Sequence, residues 1–266
     1  QLEFFANQIQ QILQQRYYRL CPYLKVNPRL SFVGRAIGIY DPRLDEVEDI
    51  IGLTMDLGFL SLLFIRPTIV DELISSLEAH GLKVGIWQHL VSNEETKLSS
   101  LSVVGSLHLP PNYSIERVSV ETHPHQLRKF QKLMQSCGVA PLPGYILRGQ
   151  EIPTIAEMII NAQDEVMATG VGIFRHNPGG FYGKAAHVGF LATESSQRGN
   201  GFARLLLARI ILASYEEYAA ELVHTGVRSE NIPSQRVCQN CGLEDSGMYC
   251  LGVTNPQIMK GAEFTR

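Results

Sequence analysis

The chain has 266 residues, a formal net charge of −3, 45% hydrophobic and 18% charged residues, the balance of a globular protein with length enough for two folded units. No run reaches the ~20 apolar residues of a membrane span, and a slightly acidic chain lacks the concentrated basic face that a nucleic-acid backbone demands. The five cysteines, Cys21, Cys137, Cys238, Cys241 and Cys250, are odd in number and unneeded as staples in a chain of this size, so they are read as reduced thiols of a cytoplasmic protein.

Residues 1–20 carry Leu2, Phe5, Ile9 and Leu13 at helical spacing, which predicts an amphipathic helix with a glutamine-rich outer face. They show neither the basic start nor the small-residue cleavage site of an export signal. Residues 30–40 read as a strand stopped at Asp41-Pro42, and Val47, Ile50, Ile51 and Met55 then set a helix that leaves at Gly58. The apolar run 59–65 suits a buried strand, Pro67-Thr68 opens a helix closed by Gly81, and 82–91 is again strand-like. Residues 93–112 are richer in Ser, Glu, Thr and Pro. The stop at Pro110-Pro111-Asn112 divides the chain into an α/β unit over 1–110, a second unit over 114–255 and a tail over 256–266.

In the second unit Ile115, Val118 and Val120 mark a strand, and Thr122-His123-Pro124 caps a helix through Leu127, Phe130, Leu133 and Met134 that ends at Gly138. Residues 153–162 and 165–175 predict antiparallel strands, and the turn Asn177-Pro178-Gly179-Gly180 leads to a further strand over 187–193. Next comes Gln197-Arg198-Gly199-Asn200-Gly201-Phe202-Ala203, and then an apolar helix through Leu205, Leu206, Ile210 and Ile211. Strand, glycine turn and helix in that order build an anion site, because the first amides of a helix have no intrahelical partner and the helix dipole adds positive potential. Gly199 and Gly201 let the backbone come close to a pyrophosphate. A dinucleotide fold would share such a turn, but its fingerprint opens a parallel βαβ unit, whereas this turn follows an antiparallel meander.

Arg198, Gly201 and Ala203, with Asn231, Ser234 and Gly242 downstream, make residues 114–253 resemble the GNAT superfamily of acyl-CoA N-acyltransferases. That resemblance implies an α/β (α+β) fold with a mixed central sheet flanked by helices, joined here to a second, smaller α/β unit. It implies acetyl-CoA as co-substrate and no metal; the lone CxxC of Cys238 and Cys241 has no second ligand pair. The CoA pyrophosphate would rest on Arg198, Gly199, Asn200, Gly201, Phe202 and Ala203. The pantetheine arm would lie along the strand edge Phe190, Leu191, Ala192 and Thr193, with Asn231 and Ser234 helping to orient it; a plain helix cap at Asn231 is the other reading. A neutral amine of a small molecule or peptide would attack the thioester directly. The place where the family often has a tyrosine acid is Cys238, a departure for which Tyr249 is the substitute. Glu157, His187 and Glu194 are the candidate bases. The rival reading is an acyl-CoA-binding regulatory or scaffolding protein of little activity. The state expected is monomer or homodimer, with neither nucleic acid nor membrane as partner.

Residues 59–82 align with 220–243 as strand, helix and glycine, Gly81 matching Gly242. The first half is thus either a degenerate copy of the second or an unrelated α/β cap. Where a glycine turn would stand it has Asp41, Asp45 and Glu46, which would repel a pyrophosphate, so a single CoA site is expected.

Overall fold

The computed structural model describes residues 2–260; Gln1 and residues 261–266, the end of the expected tail, lie outside the described residues. The first half runs α1 (Gln8–Leu24), β1 (Leu30–Phe32), β2 (Ile37–Tyr40), α2 (Val47–Leu57), β3 (Phe59–Ile65), α3 (Pro67–Ala79), β4 (Lys83–Ser92) and α4 (Thr96–Ser106). The second runs β5 (Ser114–Arg117), α5 (Pro124–Ser136), α6 (Gly144–Leu147), β6 (Thr154–Ile160), β7 (Val166–Ile173), β8 (Ala185–Thr193), α7 (Phe202–Tyr218), β9 (Leu222–Val227), α8 (Ile232–Asn240) and β10 (Leu243–Thr254).

All ten strands join one sheet in the order β1-β2-β3-β10-β4-β9-β8-β7-β6-β5. Its centre is an exchange. The last strand of the second half, β10, lies antiparallel between β3 and β4 of the first half, while β4 reaches across to pair antiparallel with β9. Around that centre the halves repeat each other. β2 runs parallel to β3 as β8 runs parallel to β9, β1 and β7 lie antiparallel outside them, and β3-α3-β4 corresponds to β9-α8-β10. Both helices carry proline at the first turn and are left through a glycine of positive φ, Gly81 at 76° and Gly242 at 81°. The first half repeats the topology of the second, and neither half closes its sheet alone.

Four local expectations are corrected. The helix foreseen over 1–20 begins at Gln8, because the Asn7 side chain caps it by accepting from the Gln10 amide, 3.0 Å. Residues 2–5 instead form neither helix nor strand and are held by buried Gln14, which accepts from Phe5 N–H and donates to the Phe5 and Pro141 carbonyls. The single strand over 30–40 is a hairpin, β1 and β2, turned at Gly34 with φ 73°. The strand marked by Ile115, Val118 and Val120 stops at Arg117. The Ser-rich stretch after Asn93 forms α4, whose small side chains let it lie close on α7 and α8. There Thr96 Oγ1 donates to the Gly242 carbonyl at 2.7 Å and Ser100 Oγ to the Cys241 carbonyl at 3.2 Å. The Pro110-Pro111-Asn112 stop falls in the connection from α4 to β5, yet the elements just before it belong to the sheet and helix layer of the second half.

Gly242 therefore serves two constraints: its φ is left-handed, and a Cβ there would stand 2.7 Å from the Thr96 Cα. Gly242→Ala should destabilise the fold by about 2 to 4 kcal/mol, read as a lowered thermal midpoint. An unchanged midpoint would contradict this account of the α4 contact.

Candidate active site

β8 and β9 are paired only at Ala185, Ala186 and His187, which face Leu222, Val223 and His224. Beyond that point the two parallel strands part. The inner edge of Val188 to Thr193 then faces Thr225, Gly226 and Val227 across a cavity of about 1000 Å³. An unpaired edge of this kind presents alternating backbone donors and acceptors. Within it β8 carries a bulge: Ala192 faces Thr169 and Gly189 faces Val171, so Phe190 and Leu191 together oppose Gly170. Phe190 takes φ 51°, and a bulge leaves one residue out of the ladder and turns it toward the open side.

At the outer end of the cleft the chain makes a short 3-10 turn (Ser195–Gln197) and enters α7 through Gly199 and Gly201, at φ 85° and 80°. No side chain caps α7 and its first turn holds no acid. Its leading amides thus open on the cavity, lined there by Gly201, Phe202, Ala203 and Arg204, as a phosphate site requires. The corresponding start of α2 in the first half has an acid, Glu46, where the second half has its glycine turn. Glu46 accepts from the Arg29 guanidinium and the Arg43 amide, and the Arg29 contact holds its carboxyl down at about 2. The first half thus places a paired acid, and the second half an acid-free glycine turn, before the corresponding helix.

The expected site residues fall into two groups. Phe190, Leu191, Ala192, Thr193, Arg198, Gly199, Gly201, Phe202, Ala203, Asn231, Ser234, His187 and Cys238 all line the cavity. Asn200, Glu157, Glu194 and Tyr249 do not. Asn200 is exposed on the outside of the turn. Glu157 is fully buried but held in an ion triad by Arg209 at 2.8 Å and Arg117 at 3.0 Å. Glu194 accepts from the Ser195 amide at 2.9 Å as the cap of the 3-10 turn. Tyr249 sits in the sheet opposite Ile65 and Gln88. Asn231 is at once a wall residue and a helix cap, its side chain accepting from the Ser234 amide at 3.2 Å. Cys238 is a packed thiol that burial pushes up to about 12, well above the ~8.5 of an ordinary thiol, so it is a poor proton donor to a departing thiolate.

The closed end of the cleft surrounds the candidate base His187 with a cluster that the sequence did not reveal. His89, His176, His187 and His224, from β4, the end of β7, β8 and β9, converge beneath the parting strands. His224 contacts His89 at 3.1 Å and His176 at 3.1 Å, while His89 reaches Ser246 Oγ at 3.0 Å. The His187 ring stands edge-on to His224, centroids 5.0 Å apart, and its Nδ1 has no partner among the described residues. Burial is the first cause that keeps all four neutral: His89 is pushed to about 4, His176 to about 3, and His187 and His224 well below the ordinary value. Two buried arginines lie against them. Arg35, from the β1–β2 turn, sits over the Phe190 ring at 4.9 Å and donates to the Ala140 carbonyl. Arg175 follows β7, and both line the cavity. β4 and the β1–β2 turn lie far along the chain from β7, β8 and β9, and no spacing signals that they meet.

Residues 123–243 match the acetyltransferase (GNAT) family. The chain carries a GNAT acetyltransferase domain. No curated protein sequence matches the chain. Among solved structures, a GCN5-related N-acetyltransferase from Kribbella flavida is similar at TM-score 0.55 and 13% identity, over 92% of this chain and 96% of that one. A Drosophila protein gives 0.56 at 10% identity over 93% and 89%. A tandem GNAT protein from the clavulanic acid biosynthesis pathway gives 0.54 at 13% identity over 82% and 74%. Likeness at such identity is one of fold, and it extends over both halves, in keeping with the doubled GNAT architecture.

The buried histidines make the fold acid-labile. Each is neutral in the native state and would ionise once released, near its unperturbed ~6.5. Their contribution is therefore complete above that value and declines as pH falls toward the depressed native values, because the unfolded chain then binds more protons. Each histidine that stays neutral in the fold accounts for about 1 kcal/mol per pH unit below ~6. Thermal midpoints should fall steeply between about pH 6.5 and 5, with uptake of more than about two protons on unfolding; uptake below about one would show that the cluster is protonated in the native protein.

Proposed function

We propose that the protein transfers an acyl group, acetyl in the simplest case, from its CoA thioester to the primary amine of a small molecule or peptide by direct attack. The observation that carries this reading is the meeting, in one cavity, of the open β8 edge and the uncapped start of α7. Pyrophosphate oxygens would accept from the leading amides of α7, flanked by Arg198 and Arg204. The pantetheine amides would pair with the free β8 edge, as an extended arm requires. That register carries the thioester inward to the Phe190 bulge, where a backbone N–H turned out of the ladder suits the oxyanion.

The amine nitrogen attacks the thioester carbonyl, the C–N bond forms, and the C–S bond breaks. One proton leaves nitrogen and one is gained by the departing sulfur. His187 is the best-supported acceptor of the first: it lines the cavity, it is neutral, and its Nδ1 is unpartnered among the described residues. Glu157 and Glu194 are engaged elsewhere. The second proton need not come from Cys238, whose thiol holds its proton more tightly than CoA would. Juxtaposition of amine and thioester in a closed cleft supplies much of the remaining rate.

Calorimetry with acetyl-CoA tests the donor site. Wild type should bind, and Ala203→Glu, which adds an acid to the first turn of α7 without a left-handed backbone, should lose at least about tenfold in affinity. Equal affinity would remove the anion site from this account. For the chemistry, His187→Gln should lower kcat by about 10²-fold or more while acetyl-CoA affinity is retained, whereas Cys238→Ala should stay within about threefold of wild type. The reverse order of these two effects would make Cys238 the working group.

A further inference from the structure

We infer that the acceptor carries a carboxylate close to its amine, as an amino acid does, and that Arg175 receives that carboxylate at the closed end of the cleft. This rests on the transferase reading above and names the substrate class of the same site.

The first ground is the composition of the wall. Among the described residues the cavity is lined by six arginines, Arg35, Arg175, Arg198, Arg204, Arg228 and Arg236, and by no aspartate or glutamate. A wall of one sign selects ligands of the other. The CoA phosphates answer the cations at the outer end, where Arg198 and Arg204 flank the start of α7. They do not answer Arg175 at the inner end. Arg175 follows β7 just past Ile173, which pairs with His187 at the point where the strands begin to part. Arg35 covers Phe190 in the bulge, where the thioester would lie.

The second ground is the cost of burying Arg175. Arg175 is only 6% exposed, makes no ion pair among the described residues, and leaves Nε and Nη2 without hydrogen-bond partners. The histidines around it are neutral and offer no counter-charge. A buried guanidinium is ordinarily paired with an acid, and one left unpaired is destabilising by several kcal/mol. Burial pushes Arg175 down to about 10, and burial with Arg175's repulsion pushes Arg35 down to about 9; both remain cations at neutral pH. A carboxylate brought in by the acceptor supplies the missing charge through the fork geometry that guanidinium and carboxylate share. It also fixes the adjacent amine between the thioester and His187. After burial, the charge of Arg175 is the next cause holding His187 down, so the incoming carboxylate raises the proton affinity of the base as it binds.

The test is a panel of the common amino acids, each beside its own amide, which keeps the amine and side chain and removes only the carboxylate. With acetyl-CoA at saturation, at least one amino acid should exceed its amide in kcat/KM by about tenfold or more, the worth of one charge-assisted pair. Arg175→Met should bring that ratio close to one, and Arg175→Lys should restore part of it. If Arg175→Met does not fold, the wild-type ratio decides alone. No amino acid exceeding its amide, or a ratio unchanged in Arg175→Met, overturns the inference. Acetyl-CoA binding on the same preparation separates the two levels: loss of donor binding refutes the transferase reading itself, whereas intact donor binding with acid and amide alike refutes only the carboxylate.

Discussion

The rest of the molecule depends on the antiparallel pairing of β4 with β10, which joins nine residue pairs from Leu243 opposite Ser92 to Thr254 opposite Lys83. Each strand is the last of its own half and is surrendered to the other. Without β4, β9 would have an open edge; without β10, β3 would. The exchange therefore welds two incomplete sheets into one. It also sets which face of the first half meets the cleft. Phe59, Ser61, Leu63 and Trp87 become walls of a cavity whose donor end belongs to the second half.

That arrangement gives the degenerate copy a definite task. Before α2 it carries Glu46, bound to Arg29 and Arg43, in place of a glycine turn, but its β1–β2 turn delivers Arg35 to the Phe190 bulge and its β4 delivers His89 to the histidine cluster. One copy keeps the glycine turn and the donor edge, and the other supplies part of the closed end. A duplicated fold can divide labour in this way because the exchanged strands hold the two halves in fixed register. Strain gathers where they meet. Phe64 in β3 takes φ 56° at a bulge opposite Cys250, stacked on Tyr182 and edge-on to His89. Such a conformation in a bulky residue persists only where packing over-determines it.

The electrostatics of the closed end run against ordinary core design. Four neutral histidines lie together with Arg175, which has no acid partner among the described residues, an arrangement that costs stability wherever pH or solvation allows it to relax. The donor end is mild by comparison, made of backbone amides and a helix dipole that need no buried charge. Stability has thus been given up at one end of the cleft, where proton transfer and acceptor recognition would occur.

The sequence by itself determined the parts whose cause is local. The run 59–65, the helix after Pro67, the glycine turn before Phe202, the cap at Asn231 and the paired exits at Gly81 and Gly242 all follow from backbone freedom, capping and apolar spacing over a few residues. The repeat was legible for the same reason. Tertiary structure alone decided what arises from distant partners. It made α4 out of a Ser-rich stretch because Gly242 admits its backbone. It removed Glu157 from the candidate bases because Arg117 and Arg209 had already claimed its charge. It brought His89 beside His224, and Arg35 over Phe190, because the strands of the first half were joined to those of the second. Spacing along a chain encodes the face on which a residue lies, whereas the charge it will meet there depends on which strand becomes its neighbour.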